Sequence, residues 1–500
     1  MKIRLHALLF LILWLYGCLP TAIAQQSAVF KLSPVLQSKM VVQQNKPFHI
    51  WGTASAGATV QVRADWLKGT VAVQADEHNR FLATIEVPAI QAGDFDHHQL
   101  EVSTGDQSIL LDSLLIGDVW LCSGQSNMQF SLKEDLHAAE EIPKANQPHI
   151  RLFSAGLNFS ETPIDSISGQ WKVCTPTTAK DFSAVAYYMG RKLLDSLNYP
   201  IGLVFTGIGA SAAQAYVPKA VLAADSLLNA TYLQPYLDSP KSKEKIDGGF
   251  SFEKVTRPYL LYNALIHPFV HLSIKGFTWY QGESNHTERA AYTRLTHFQI
   301  AAWRKAFQQG QLPFYYVLIA PYDHEKRDST LTEDAFFREA QAHIALLNNT
   351  AMIVSVDIGE ANNLHPKNKK PLGERLALTA LNRTYGRLDV PYEGPTMQYV
   401  TYQDDQAIVH YQPNSLTAGL RTSDNRAPTF FAVAGKDRVF YPAEAVIRGN
   451  TIALRSKKVQ QPVAVRYAFF NYPETNLQNG AGLPAMPFRT DDWAEPNTNR

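Results

Sequence analysis

One stretch of the chain joins a strand that is predicted to be buried to a serine that could act as a nucleophile. Residues 114–122 form a largely apolar run, and the chain continues as Ser-Gly-Gln-Ser-Asn-Met. Many α/β hydrolytic enzymes present a serine in this way, at the carboxyl edge of a parallel sheet and beside the next helix. We therefore predict Ser126 as the nucleophile. The alternative is a polar loop whose hydroxyls only cap a helix.

The turn differs from the nucleophile elbow of α/β-hydrolases. That motif reads G-x-S-x-G, and Met128 stands at its last position. A different class of serine hydrolase is therefore indicated.

Three further segments place polar residues directly after apolar runs. Residues 207–211 follow the run 201–205, residues 281–285 follow the run 274–280, and residues 357–365 follow the run 352–356. Loops that follow the strands of an open parallel sheet converge on one edge. We therefore expect these segments and the Ser126 turn to meet in one site.

The residue types in these segments suit acyl transfer from an ester. This reaction needs a nucleophile, a base with a pKa near neutrality, and donors for the oxyanion. His365 is the predicted base. Gly207 and Gly209 would let backbone N–H groups approach the oxyanion, and Gln281 would add a side-chain amide, with Asn285 as the alternative. Taken singly, each glycine could be an ordinary turn residue and His365 an ordinary loop residue.

The hydrophobic pattern predicts which elements position these residues. Apolar residues alternate from 47 to about 102, which is typical of antiparallel strands. From 114 to 385, short apolar runs alternate with amphipathic stretches at 182–197, 292–307, 334–347 and 371–385, which favours a parallel sheet covered on both faces. Alternation returns after residue 391. The prediction is an α/β fold in three parts: an N-terminal β domain at 26–110, a catalytic domain at 111–388, and a C-terminal β domain at 389–493 with a short tail at 494–500.

Composition narrows the classes of protein and the cellular location. The 500 residues are 45% hydrophobic, which predicts a globular protein of two to four domains. Lys2 and Arg4 precede an apolar run, and residues 22–24 are small enough for signal peptidase, so residues 1–24 are predicted to be a signal peptide for secretion or periplasmic export. Lipid anchoring through Cys18 is the less favoured alternative. Removal of the signal peptide takes away two basic residues and changes the net charge from +1 to −1. This charge argues against nucleic acid as a partner.

Cysteine and histidine usage predicts neither a disulfide framework nor a metal. Cys122 and Cys174 are the cysteines left after the signal peptide, and we predict buried free thiols, with one bridge between them as the alternative. No pair of cysteines has zinc-ligand spacing, and His97 and His98 lie in an acidic, polar stretch. We expect no metal and no cofactor.

Several of these blocks resemble the sialate O-acetylesterase family of SGNH-type serine esterases. The resemblance covers nearly the whole chain after residue 24. It rests on 119–128 (VWLCSGQSNM), 279–285 (WYQGESN), 357–360 (DIGE) with 365–367 (HPK), and on shorter matches at 39–41, 51–52, 261–263, 338–341, 375–377, 465–467 and 487–493.

The resemblance implies a flavodoxin-like central sheet and hydrolysis of acetyl esters on sugars. It also implies that the serine of the first block and the histidine of the last are the working pair. Within the matching blocks, Asn127, Glu283 and Asn285 are the predicted substrate-binding residues.

The chain departs from the family pattern in two places. Where the family usually reads GGTPAEAW, residues 209–216 read GASAAQAY, so Ala210 suits a backbone donor only if its φ is negative, and Gln214 replaces a carboxylate. Related esterases also often carry an Asp three residues before the histidine, where this chain has Asn362. Asp357 is slightly favoured over Asn362 as the third member of a triad, with Glu360 third and a Ser-His dyad as a further alternative.

The sequence therefore predicts an exported serine esterase that forms an acetyl-serine intermediate. Its substrate would be an acetylated carbohydrate: 9-O-acetyl sialic acid, or a plant polysaccharide such as xylan or pectin. The alternative is a non-catalytic carbohydrate-binding protein on an esterase fold. Tyr216 and Trp279 are aromatic residues that could stack on a sugar, although Trp279 ends an apolar run and fits the core better. Sequence alone determines neither the sugar nor the oligomeric state.

Overall fold

The computed structural model describes residues 29–324, 328 and 330–495. The predicted signal peptide, with Cys18, lies outside the described residues, as do residues 496–500 of the predicted tail. No helix in the described part of the chain is both long and apolar enough to cross a membrane.

The N-terminal region consists of short antiparallel strands, as the alternating pattern predicted. In β4 and β6 every second residue is buried. One small sheet has the order β1-β3-β6, and β4 pairs with β5 and β7. The strands are β1 Lys31–Leu32, β2 Val41–Gln43, β3 Phe48–Thr53, β4 Thr59–Ala64, β5 Val71–Gln74, β6 Arg80–Ile85 and β7 His98–Thr104.

A single 18-residue strand, β8 (Gln107–Gly124), links this region to the central sheet. Its first part pairs antiparallel with β7, and its last part lies parallel between two central strands. The predicted domain boundary at 110/111 thus falls inside one continuous strand, and the two regions share an 11-stranded mixed sheet.

The central strands are parallel apart from β10. They are β9 Gln147–Ser154, β10 Trp171–Cys174, β11 Ile201–Phe205, β12 Gly276–Tyr280, β13 Phe314–Val317 and β14 Thr350–Ile353, in the order β10-β9-β11-β8-β12-β13-β14. The strands β11-β8-β12-β13-β14 have the flavodoxin-like order 2-1-3-4-5, and β9 and β10 extend the sheet beyond β11. The chain passes from β11 on one side of β8 to β12 on the other, so a topological switch point lies at the carboxyl end of β8.

Both faces of the central sheet are covered. Side chains along β8 alternate between two cores: Val119 and Leu121 belong to one, and Trp120 and Cys122 to the other. Helices α4 and α10 cover the second core, and α8 covers the first. The helices are α1 Ser126–Gln129, α2 Ala138–Glu141, α3 Pro176–Ala179, α4 Ala184–Leu197, α5 Lys219–Ala224, α6 Ser226–Leu228, α7 Gln234–Asp238, α8 Ala290–Phe307, α9 Glu333–Ala342 and α10 Lys370–Arg383.

The C-terminal region returns to antiparallel strands, in sheets ordered β15-β16-β21-β20, β17-β23 and β19-β18-β22-β24. Arg489 joins this region to α9 through paired bonds to Glu339. The strands are β15 Met397–Gln403, β16 Gln406–Tyr411, β17 Leu420–Thr422, β18 Phe431–Ala434, β19 Phe440–Pro442, β20 Glu444–Arg448, β21 Thr451–Arg455, β22 Ala464–Tyr467, β23 Leu477–Asn479 and β24 Phe488–Arg489.

Candidate active site

Ser126 begins α1, immediately after β8 ends at Gly124. Gly124 has a φ of +143°, and a Cβ there would lie 2.1 Å from the carbonyl oxygen of Tyr280, so the close approach of β8 to β12 requires glycine. The buried Gln125 then accepts hydrogen bonds from the backbone N–H groups of Gly282 and Ser284, at 3.2 and 3.3 Å. The serine turn is therefore locked to the loop that follows β12.

The structure brings His365 to Ser126. The imidazole Nε2 lies 2.8 Å from Ser126 Oγ, although 239 positions separate the two residues in the sequence. The Asn363 side chain holds the histidine loop, because its Oδ1 accepts from the His365 N–H at 3.0 Å and its Nδ2 donates to the His365 carbonyl at 2.9 Å. This geometry suits proton transfer from the serine to the imidazole.

Three neighbouring influences act on the His365 imidazole. Burial lowers its pKa below the ordinary histidine value, and the Lys369 ammonium lowers it further. The Glu134 carboxylate has the opposite, smaller effect and raises the pKa. The imidazole is thus biased towards its neutral form, which is the form that can accept a proton.

The structure does not place Asp357 beside His365, contrary to the favoured prediction. β14 ends at Ile353, and Asp357 lies beyond it, where its two carboxylate oxygens accept from Arg375 at 2.8 and 2.5 Å. The Arg375 side chain is only 9% exposed, and its guanidinium binds the Asp357 carboxylate in bidentate fashion. Asp357 is therefore a partner of α10 in this structure.

The other two candidates for the third member also have different environments. Asn362 is exposed, and Glu360 accepts from Asn363 Nδ2 at 2.9 Å and from the backbone N–H of Lys367 at 2.6 Å. Among the described residues, no hydrogen-bond acceptor for His365 Nδ1 is found. The described residues therefore form a Ser-His pair, without a third residue hydrogen-bonded to the imidazole.

Gly209, a predicted oxyanion residue, lies beside Ser126. An ideal Cβ on Gly209 would be 3.7 Å from Ser126 Cβ, and the Gly209 N–H donates to Gln129 Oε1 at 2.7 Å. Sequence reasoning overlooked Gln129, which lines the pocket from the last position of α1. Gly207 is also buried behind this turn.

Gln281 is not positioned as an oxyanion donor. It is fully buried, and its amide nitrogen donates to Asn285 Oδ1 at 2.7 Å and to the Ser211 carbonyl at 3.3 Å. The Asn285 amide is also hydrogen-bonded within these loops, because its Oδ1 accepts from Ala213 N–H as well and its Nδ2 donates to Gln214 and Glu288. The polar residues after β12 mainly hold neighbouring loops together.

Of the three predicted substrate-binding residues, Glu283 lines the pocket beside Ser126. Its Oε1 accepts from Asn127 Nδ2 at 2.5 Å, and its Oε2 is buried without a partner. Burial raises the pKa of this carboxyl, against the opposing effects of Asn127 and Lys369. Asn127 itself is completely buried behind the serine, and Asn285 is buried in the loop network.

A buried lysine that no sequence motif singled out supports this arrangement. Lys369 is fully buried at the start of α10, and its Nζ donates to Asn127 Oδ1 at 2.5 Å and lies 4.7 Å from the Phe130 ring centre. Burial lowers the pKa of Lys369 to about 7, although Glu283 and Asp135 raise it. Asn127 therefore bridges a buried cation to the carboxylate that lines the pocket.

The site opens into a cavity of about 570 Å³. Ser126, His365, Gly209 and Glu283 line it, together with the apolar side chains of Leu157, Ile208, Phe250, Phe252 and Leu364. This volume lies within the range of about 300–1,000 Å³ typical of small-molecule sites. Tyr216 and Trp279 are buried in the core and do not line the cavity, so neither is available to a sugar.

The two departures from the family pattern have structural consequences. Ala210 has a φ of +60°, in the left-handed region that the sequence analysis identified as unfavourable for it. Gln214 lies inside the loop network, where its Oε1 accepts from Asn285 and its Nε2 donates to the Thr256 carbonyl.

Other predicted features can be placed as well. Cys122 and Cys174 are buried free thiols, as expected. His98 pairs with Asp65 at 2.9 Å. Outside the pocket, the ligand atoms of His286, His324 and Asp334 lie within 4.8 Å of one another, and His324 Nε2 contacts Asp334 Oδ2 at 2.9 Å as in an ion pair.

Comparison with known proteins assigns the family. Residues 116–382 match the family described as "Carbohydrate esterase, sialic acid-specific acetylesterase". The mouse sialate O-acetylesterase is 26% identical over 92% of this chain and 94% of its own length, and the human protein is 27% identical over 92% of each. A crystal structure of a carbohydrate acetylesterase from Xanthomonas citri is similar with a TM-score of 0.81, at 31% identity over 93% of this chain and all of that one. The chain therefore belongs to the carbohydrate esterase, sialic acid-specific acetylesterase family, and it is a carboxylic ester hydrolase.

Proposed function

We propose that this protein is an exported serine esterase that removes O-acetyl groups from sugars through an acetyl-serine intermediate. The observation that carries the proposal is the 2.8 Å contact between His365 Nε2 and Ser126 Oγ in a cavity large enough for a sugar. Ser126 is the nucleophile and His365 the general base and acid.

In the first half-reaction, Ser126 Oγ attacks the acetyl carbonyl carbon while His365 Nε2 takes the hydroxyl proton. The tetrahedral intermediate collapses when the bond from the acetyl carbon to the sugar oxygen breaks. His365 then gives its proton to that oxygen, and the sugar leaves as an alcohol. The acetyl group remains on Ser126.

In the second half-reaction, a water molecule attacks the acetyl-serine carbonyl and His365 accepts its proton. The bond to Ser126 Oγ breaks, Oγ regains the proton, and acetate leaves. The neutral bias of the His365 imidazole supports both halves, because each begins with a proton transfer to Nε2.

Backbone groups hold the oxyanion in this proposal. The Gly209 N–H is beside Ser126, and Ser126 N–H lies at the start of α1, where amides have no partner within the helix. Gln129 Oε1 accepts from Gly209 in the structure and has to turn away when an ester binds. Donors in such a site stabilise negative charge as it develops on the acetyl oxygen.

Glu283 is the proposed contact for a sugar hydroxyl. Glu283 lines the same cavity as Ser126, its Oε2 is buried without a partner, and the Asn127–Lys369 pair holds its other oxygen. A buried acceptor without a partner favours a ligand that donates a hydrogen bond. Asn127 acts through Glu283 and is a positioning residue.

Family membership and the Ser-His contact support this proposal over a non-catalytic carbohydrate-binding protein. The serine after β8 and the histidine after the last parallel strand also favour an SGNH-type catalytic region, with the β regions around 26–110 and 389–493 as flanking domains. Export is proposed from residues 1–24. The substrate candidates remain 9-O-acetyl sialic acid and acetylated plant polysaccharides.

Acetate release from 9-O-acetyl sialic acid, acetylated xylan and acetylated pectin, measured side by side, tests the function and ranks the substrates. We expect acetate release from at least one of them, and its loss in Ser126→Ala. Failure of the folded wild-type protein to release acetate from any acetylated sugar would contradict the proposal.

A further inference from the structure

Two phenylalanines are exposed at the rim of the catalytic cavity. Phe250 is 52% exposed and Phe252 is 75% exposed, and both line the cavity that contains Ser126 and His365. Their ring centres are 5.2 Å apart, with the planes at 78°. Single exposed apolar residues are common on protein surfaces, but an adjacent aromatic pair at a binding cavity marks an interaction surface.

The segment that carries the two rings is anchored on both sides. Before it, Asp247 Oδ1 accepts from Lys254 Nζ at 2.5 Å, and Lys254 lies 5.3 Å from the Phe159 ring centre. After it, Glu253 accepts from Arg257 Nε at 2.9 Å. The rings are therefore presented by a braced loop, which lowers the entropic cost of binding on them.

We propose that Phe250 and Phe252 form an aromatic platform that binds a sugar ring of the substrate. This inference rests on the proposed function and extends it from the ester to the carbohydrate. The acetyl group has only three heavy atoms and fills a small part of the cavity, so most of the volume is left for the group that bears it. The platform forms part of the wall of that volume.

The chemistry of the cavity matches the two sides of a sugar. The C–H face of a pyranose is apolar and slightly positive, and it packs favourably on the electron-rich face of an aromatic ring. The hydroxyls at the ring edge need hydrogen-bond partners, and the polar residues Gln129, Glu283 and Ser284 line the same cavity. Leu157 and Ile208 add further apolar surface. A sugar ring can therefore satisfy both parts of the wall at once.

The test compares sugar esters with plain esters in the full-length protein. Phe250→Ala, Phe252→Ala and the double variant are assayed on 9-O-acetyl sialic acid, on acetylated xylo-oligosaccharides, on ethyl acetate and on hexyl acetate. We expect kcat/KM on the preferred sugar ester to fall about tenfold for a single variant, mainly through a higher KM. Activity on both plain esters should stay near that of the wild type. Phe252→Tyr should restore sugar binding because it keeps the ring.

Matched controls separate the platform from a structural role. Tyr399→Ala removes an aromatic residue of similar exposure, 50%, from β15, far from the cavity residues in sequence, and should leave all four activities unchanged. Thermal melting verifies that each variant is folded. An equal loss on hexyl acetate would overturn the proposal in favour of a general apolar surface, and unchanged KM values on sugars would overturn it outright. Activity on plain esters without any activity on sugar esters would instead contradict the proposed function.

Discussion

The loop after β8 and the loop after β14 each supply one member of the Ser-His pair, but they hold it in different ways. Ser126 lies two residues beyond its strand, in a turn fixed by Gly124 and by two bonds to Gln125. His365 lies 12 residues beyond Ile353, in an irregular segment held by side chains such as Asn363. A short turn with obligatory backbone contacts can be predicted from sequence, whereas the partners of a long loop depend on whatever packs against it.

Replacement of the serine tests the first loop and should have the largest effect. Ser126→Ala removes the nucleophilic oxygen and no core volume, so we expect kcat for acetyl-ester hydrolysis to fall about 10⁴- to 10⁶-fold with the fold intact. The measurement is acetate release, with circular dichroism to verify folding. A folded variant that keeps more than about a tenth of the wild-type rate would show that another residue is the nucleophile.

Substitution of Asp357 and Asn362, two predicted candidates for the third member of a triad, tests the second loop. Because Asp357 binds Arg375 and not His365, Asp357→Asn should cost about 1–3 kcal/mol of stability and change kcat by less than about tenfold. Asn362→Ala, at an exposed position, should change neither. Chemical denaturation and steady-state kinetics measure the two effects. A loss of about 10⁴-fold in Asp357→Asn at unchanged stability would restore Asp357 as the third member.

The pH dependence of kcat/KM tests the charges around His365. In the proposed mechanism, activity needs the neutral imidazole, and the lowered pKa places the acid limb below the ordinary histidine value of about 6.5. Lys369→Met removes a positive charge that disfavours imidazolium, so the His365 pKa should rise and the acid limb should move to higher pH.

Glu134→Gln is the matched change of opposite sign. It removes a negative charge that favours imidazolium, so the acid limb should move to lower pH. Limbs that move in the same direction in the two variants, or that do not move, would contradict the assignment of this limb to His365.

The smallest expected effect concerns Ala210, at the edge of the oxyanion site. The left-handed backbone at this position costs about 1–2 kcal/mol for a residue with a Cβ. Glycine removes this strain, but it also makes the unfolded chain more flexible, which offsets part of the gain in stability. Ala210→Gly should therefore raise the free energy of unfolding by about 0.5–1 kcal/mol. Ala213→Gly, in a buried turn without positive φ, is the control and should be destabilising. A destabilising Ala210→Gly would show that the methyl group packs usefully.

The sequence alone was sufficient to predict the α/β class, the four strand–helix pairs of the central region, and the meeting of the Ser126 and His365 side chains. These features follow from hydrophobic periodicity and from the rule that loops after parallel strands converge, both of which depend on local sequence. The buried free state of Cys122 and Cys174 follows from the same patterns.

Tertiary structure alone decided which polar groups are available for chemistry. Gln281, Asn285 and Asp357 follow strands, as a reactive residue would, yet neighbouring loops and α10 use their hydrogen bonds. Conversely, Lys369, Gln129 and the pair Phe250 and Phe252 belong to no recognisable motif, and they surround the site because of contacts between distant segments. A side chain's type is a local property, but its burial and its partners depend on which segments pack against it, which is why the sequence could single out Ser126 and His365 and only the fold decided their surroundings.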